Sequence, residues 1–167
     1  MKKKLVRKIT DNALIAAIYY VVTILLAGVA FYDVQFRIAE ILLFLVFFRK
    51  DFIIGVTIGC LLANLHSPLL PWDPIFGTLA TLLSGLLIAY SKRLYFGIIY
   101  PTIINGVVIG IMLHVILSLP LLATIGLVAL GEFVVLLFGH AVFSILGKQP
   151  SFLNLLMADH RNENHNE

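Results

Sequence analysis

The chain has 167 residues, 60% apolar and only 13% charged, with a formal net charge of +3 and a mean hydropathy of +1.02. A soluble domain carries about 25% charged residues, so this composition excludes a water-soluble globular protein and points to a solute of lipid. Bilayers offer no hydrogen bonds to backbone amides, which leaves helices or a closed barrel, and the alternating polarity of barrel strands is not visible here.

In chain order, a basic arm over residues 1–10 precedes six apolar segments bounded by charge, Pro and Gly: Asp11–Ala30, Val34–Phe48, Phe52–Leu65, Pro74–Tyr90, Tyr95–Leu117 and Pro120–Leu146. The expected architecture is an all-α integral membrane protein, with six transmembrane helices over residues 11–147 and a polar tail over 148–167. The second and third segments fall short of the roughly 20 residues that span a bilayer, which predicts a thinned or partly re-entrant wall where a pocket opens to water.

Lys and Arg specify the orientation. Lys2, Lys3, Lys4, Arg7, Lys8, Arg49, Lys50, Lys92, Arg93, Lys148 and Arg161 fall on one side of a six-span arrangement, and Arg37 alone falls on the other. The positive-inside rule then puts both termini in the cytoplasm and the loops near Tyr32, Leu70 and Leu119 outside, in a multi-pass protein of the cytoplasmic membrane. The net positive charge reports this topology and not nucleic-acid binding. The rival reading of the N-terminus, a signal peptide cleaved after Ala27-Gly28-Val29-Ala30, is disfavoured because the run is long for one and its removal would break the charge alternation. Cys60 is the only cysteine, so neither an intramolecular disulfide nor a cysteine metal cluster can form, and the Asn-, Glu- and His-rich tail is expected to be a partly disordered cytoplasmic end rather than a metal site.

Asp33, Arg37, Glu40, Asp73 and Glu132 interrupt or border the apolar segments. A charged side chain at a helix centre costs roughly 2.5 to 3.5 kcal/mol on insertion scales and is usually kept for a substrate or ion. Glu132, within the run Ile125–Leu137, stands out because no cation lies in the inner spans to neutralise it. Under the six-span topology one outward-facing cavity collects Gln35, Arg37 and Glu40 from the first outer loop and second segment, Asn64 from the third, and Trp72 and Asp73 from the following loop. Phe76, Thr78 and Thr81 come from the fourth segment, and Asn105 and Glu132 from mid-depth in the fifth and sixth.

Each of these has a structural alternative. Arg37 and Glu40, at i and i+3, can pair with each other. Asp33 and Asp73 precede helical runs and suit N-caps. Thr78 and Thr81 can bond back to their own helix, and Asn64 and Asn105 can join helices. His114 lies about 180° around its helix from Asn105 and is assigned to packing. Signatures of hydrolases, zinc proteases and P-loop ATPases are absent, so no catalytic residue, cofactor or metal is expected.

Small residues recur at four-residue spacing: Ala13 and Ala17; Gly55, Gly59 and Ala63; Ala80 and Ser84; Gly106 and Gly110. Such spacing lets helices approach closely. The last three sets are read as internal packing. Ala13 and Ala17 differ, because they lie at the basic end of the first helix, where a partner could dock.

The stretch Asp33-Val34-Gln35-Phe36-Arg37-Ile38-Ala39-Glu40 carries a family resemblance, together with Gly59–Asn64, Phe76–Leu83, Asn105-Gly106 and Gly131-Glu132. From about Asp11 to Gly147 the chain resembles the QueT family, the substrate-binding S-components of energy-coupling factor (ECF) transporters assigned to queuosine-precursor uptake. The resemblance implies an S-component fold of six helices, a deep pocket open to the outside and no enzymatic activity. It further implies an ECF module as partner, made of a transmembrane T-component and two cytosolic ATPases, with the S-component toppling in the membrane to release cargo. Ala13-Leu14-Ile15-Ala16-Ala17 matches the Ala-x-x-x-Ala motif by which S-components dock on the T-component. The implied ligand is a 7-deazaguanine such as preQ1 or queuine. Its N1–H and exocyclic amine form a two-donor edge that Glu132 suits, with Asn105, Asn64, Gln35 or Arg37 facing the ring carbonyl and Phe36, Trp72 or Phe76 stacking on the ring. Glu40 or Asp73 would meet an aminomethyl cation. The loop Pro68-Leu69-Leu70-Pro71-Trp72 departs from the plainer family pattern. An S-component for another vitamin or nucleobase, a carrier working alone, and an intramembrane enzyme pairing Glu132 with His140 are the competing classes.

Overall fold

The computed structural model describes residues 2–30 and 36–157, and those residues form helices and connecting turns. Helix α1 runs Lys2–Leu25 and is followed by a single turn, α2, at Ala27–Ala30. A 3-10 segment, Ile38–Leu42, continues into α3, Leu43–Phe48, and α4 spans Phe52–Asn64. A π-helical turn, Asp73–Gly77, leads into α5, Thr78–Ala89. Then come α6, Phe96–Leu117, α7, Leu121–Leu146, and α8, Pro150–Met157.

Among the described residues three helices are long and apolar enough to cross a membrane: α1 from Lys4, α6 and α7. The 26 residues of α7 reach about 39 Å at 1.5 Å per residue, beyond a hydrocarbon core of about 30 Å. Three shorter apolar helices, Ile38–Phe48, Phe52–Asn64 and Asp73–Ala89, complete the wall. The residues of the basic arm from Lys2 onward form the first turns of α1. Lys, Arg and Leu favour helix, and neither Gly nor Pro interrupts the chain before Gly28.

Large apolar side chains point outward along every long helix, among them Leu14, Leu25, Leu87, Val115, Leu122 and Phe138. Exposed apolar surface this continuous belongs to a protein bathed in lipid. Inside, α6 lies along α7 and α1 along α4, with α5 bridging α4 and α6. Small residues set both long pairings. A Cβ added at Gly59 would come within 2.7 Å of Tyr19 Cβ, and one at Gly110 within 2.6 Å of Ile125, so each glycine admits the facing helix. At Gly55 the approach is used chemically, since its N–H donates to Asn12 Oδ1 at 2.7 Å, joining the first turn of α4 to α1. Ala80 and Ser84 are fully buried, whereas Ala13 and Ala17 face outward.

The α6–α7 turn closes through Ser118, whose φ of 56° is left-handed, and through His114 Nδ1–H donating to the Leu119 carbonyl at 2.5 Å. His114 thus has a structural task, as expected. The tail differs from its expected form at its start. Residues Pro150–Met157 form α8, which buries Leu156 and packs Phe152 edge-on to Phe48 at 5.6 Å. The apolar residues Phe152, Leu153 and Leu156 share one face at helical spacing, a signal hidden by the polar composition of the residues after them.

Candidate functional site

The polar interior is organised around Glu40, which is fully buried on the 3-10 segment. Tyr19 of α1 donates its hydroxyl to Glu40 Oε1 at 2.8 Å, and Thr81 of α5 donates to the same oxygen at 2.5 Å. Arg37 Nη1 stands 3.7 Å from that oxygen, so the i, i+3 pair forms, but within a larger network. Arg37 Nη2 donates to Cys60 Sγ at 3.2 Å, and Asn64 Nδ2, one turn on in α4, donates to Cys60 Sγ at 3.3 Å and to the Asp73 carbonyl at 3.1 Å. Gly77 permits this crowding, since a Cβ there would lie 2.7 Å from Asn64 Nδ2 and 3.3 Å from Arg37 Nη2.

A second acidic centre lies between α6 and α7. Asn105 Nδ2 donates to Glu132 Oε1 at 3.1 Å, and both side chains are fully buried. Glu132 feels the charges of Glu40 and Arg37 across the interior. Among the described residues the cation whose charge acts on Glu132 is Arg37, which is remote from it in sequence.

Several buried atoms in this site have no hydrogen-bond partner among the described residues: Glu132 Oε2, Asn105 Oδ1, Glu40 Oε2, Arg37 Nη1 and Thr78 Oγ1. Leaving one buried polar group unsatisfied costs about 1 to 3 kcal/mol, so each such atom calls for something that completes it. Three are acceptors, one is a donor, and one hydroxyl can be either. The set is polar, directional and mixed in sign. Among the described residues no group of three His, Cys, Asp or Glu is arranged to hold a metal ion.

At the rim, the Asp73 carboxylate accepts the Ser67 hydroxyl, and Ser67 Oγ in turn accepts the Leu69 N–H at 3.0 Å. Trp72 caps the π-turn without a side-chain bond, so Asp73 spends its carboxylate on the preceding loop rather than on a helix N-terminus. Trp72 and Phe76 stack on each other, with centroids 6.2 Å apart and 21° between planes. They line an apolar groove of about 340 Å³ against Val108, Ile111 and Met112 of α6, apart from the hydrogen-bonded network around Glu40. Gln35 and Asp33 lie outside the described residues. Thr81 bonds across to Glu40 rather than back to its own helix, and Thr78 is the hydroxyl left unpartnered.

Tyr19, Cys60 and Ser67 belong to this site and escaped sequence reading. Tyr19 sits in an apolar run, yet Asn12, Ala16, Tyr19 and Thr23 share the buried stripe of α1 at helical spacing. Cys60 precedes Asn64 by one helical turn, a spacing that puts both on one face.

The family model for the QueT transporter matches residues 9–148. This chain belongs to the QueT transporter family. The queuosine precursor transporter QueT of Lactococcus lactis subsp. cremoris is 34% identical over 167 aligned positions, which cover 89% of this chain and 97% of that protein. No solved structure matches the chain significantly. The family is one of transporters and not of enzymes. Membership and the apolar helices together make it a membrane protein.

Proposed function

We propose that the chain is the membrane-embedded substrate-binding subunit of an ECF-type ABC transporter, taking up a 7-deazaguanine queuosine precursor such as preQ1 or queuine. The observation that carries the reading is the pair of fully buried, unpartnered acceptors Glu132 Oε2 and Asn105 Oδ1, bridged by the 3.1 Å bond between the two side chains. Side by side they offer what the N1–H and exocyclic amine of a guanine-type ring require. Arg37 Nη1 then faces the ring carbonyl, and the neighbouring hydroxyl of Thr78 is free to take a further ring atom. The name of the Lactococcus relative supports the substrate class.

In this reading the six apolar helices cross the cytoplasmic membrane with both termini inside, as the distribution of Lys and Arg requires. Gln35, Asn64 and Asp73 belong to the outer approach to the pocket, and Trp72 and Phe76 to the separate apolar groove against α6. Ala13 and Ala17 face outward from α1 while Ala16 between them packs on Gly59, so the motif is divided between fold and free surface. The free half is the docking face for the T-component, and two cytosolic ATPases supply the energy.

The test is uptake of a radiolabelled 7-deazaguanine into proteoliposomes containing this chain, with and without the ECF module. ATP-dependent uptake only in the presence of the module is expected. Uptake by the chain alone would make it a stand-alone carrier.

A further inference from the structure

Cys60 is fully buried within the polar interior, on α4 one turn before Asn64. Its Sγ meets three polar side chains: Arg37 Nη2 at 3.2 Å, Asn64 Nδ2 at 3.3 Å and Thr81 Oγ1 at 3.2 Å. The first two atoms can only donate, so they occupy the lone pairs of the sulfur. Thr81 has a single hydroxyl proton, and Glu40 Oε1 takes it at 2.5 Å. Lone pairs would then face each other at 3.2 Å unless the S–H points at Thr81 Oγ1, and the Gly77 carbonyl, the other acceptor in reach, is 3.9 Å away. A thiolate would suit the two nitrogen donors, but it would add a further anion to Glu40 and Glu132, with Arg37 as the buried cation among the described residues. The donor chain therefore runs from the Cys60 thiol through the Thr81 hydroxyl to Glu40.

Arg37 is 8% exposed, and its Nη1 stands 3.7 Å from Glu40 Oε1, too far for a hydrogen bond. Both Nη1 and Glu40 Oε2 are left without a partner. A guanidinium this close to a carboxylate readily closes into a bidentate pair, which would consume both free atoms. We infer that the neutral thiol of Cys60 is a spacer: it holds Arg37 Nη2 away from Glu40, while Thr81 fixes the carboxylate, and so keeps Arg37 Nη1 and Glu40 Oε2 open to a polar solute. Sulfur is a weak acceptor, so it positions the guanidinium without competing strongly with a ligand for it. Cys60 is thus a positioning residue that acts through Arg37, and the inference rests on the reading above in which Arg37 faces the ligand.

Cys60 is the only cysteine of the chain, so the infrared S–H stretch, which lies apart from other protein bands, reports this one side chain. The purified full chain should give one S–H band at the lowered frequency of a hydrogen-bonded thiol, and Thr81→Ala should raise that frequency. No band, as for a thiolate, or a band indifferent to Thr81→Ala overturns the inference. Titration calorimetry with 7-aminomethyl-7-deazaguanine supplies the functional arm. Cys60→Ala should lower affinity at least about tenfold by letting Arg37 close on Glu40. Cys60→Ser, which keeps one donor and two acceptor lone pairs, should stay within about threefold of the unaltered protein. Equal affinity in all three proteins, or equal loss in both variants, overturns the spacer while leaving the deazaguanine reading standing. Failure of the unaltered protein to bind removes that reading and this inference with it.

Discussion

At the scale of single residues, the interior spends its polar groups in two ways. Some bonds hold the protein together, such as Asn12 Oδ1 accepting from Gly55 N–H, while others hold one oxygen of a carboxylate so that the second is presented. Tyr19→Phe should separate these roles. Losing one hydrogen bond to Glu40 lowers ligand affinity by about threefold to thirtyfold while the helices stay packed, as calorimetry and thermal unfolding of the same sample would show. The sequence made Glu132, Asn105, Arg37 and Glu40 legible because charge and amide groups are costly in lipid, whatever their surroundings. It hid Tyr19 and Cys60, since a tyrosine ring and a thiol are at home in an apolar run and only their neighbours across the bundle reveal a polar task.

At the scale of helices, α1 has two faces with opposite expected responses to added bulk. Gly59→Leu drives a side chain into Tyr19 and the backbone of Ala16, so it should lower the melting temperature and damage the Glu40 network with it. Ala17→Leu, on the outward face, should leave melting and binding of the isolated protein near wild type while abolishing uptake with the ECF module; equal loss of binding would assign Ala17 to packing. Helix boundaries were legible in the sequence where apolar runs end in Pro or charge, but α8 was not, because its short apolar face is diluted by the polar residues that follow. Its attachment runs through Arg49, which donates to Asp11 Oδ2 at 2.7 Å and to both oxygens of Asp51 at 2.9 Å, and reaches the Leu156 carbonyl at 3.4 Å. Burial pushes the Asp51 carboxyl up, but the hydrogen bonds and charge of Arg49 outweigh it and hold the group below its ordinary value. A carboxyl depressed in the folded state contributes stability that is complete above its unfolded pKa of about 3.9 and drains away as pH falls through the lower folded value. Protection of the α8 amides, taken relative to their intrinsic exchange rates, should therefore be unchanged between pH 7 and 5 and begin to fall only below about pH 4, and Arg49→Ala should lower it at every pH above that.

At the scale of the whole molecule, the short helices α3 and α4 beside the long α1, α6 and α7 put irregular backbone next to a polar interior, the arrangement a bilayer tolerates only around a protein-lined site. The proposed six-span topology rests on the one-sided Lys and Arg, and introduced cysteines test it: Leu70→Cys should be labelled from outside only and Lys92→Cys from inside only, with Cys60 silent because it is fully buried. Labelling of both from the same face would end the six-span arrangement. The proposed function depends most on Glu132, whose unpartnered oxygen and neighbouring amide are the proposed contacts of the ligand edge. Glu132→Gln replaces one acceptor by a donor facing another donor, at a cost of about 1 to 3 kcal/mol, while removing a charge the bilayer disfavours. Calorimetry of the purified protein with 7-aminomethyl-7-deazaguanine should therefore show affinity falling at least about tenfold in Glu132→Gln with no loss of thermal stability, whereas an unchanged affinity would contradict the central role of Glu132.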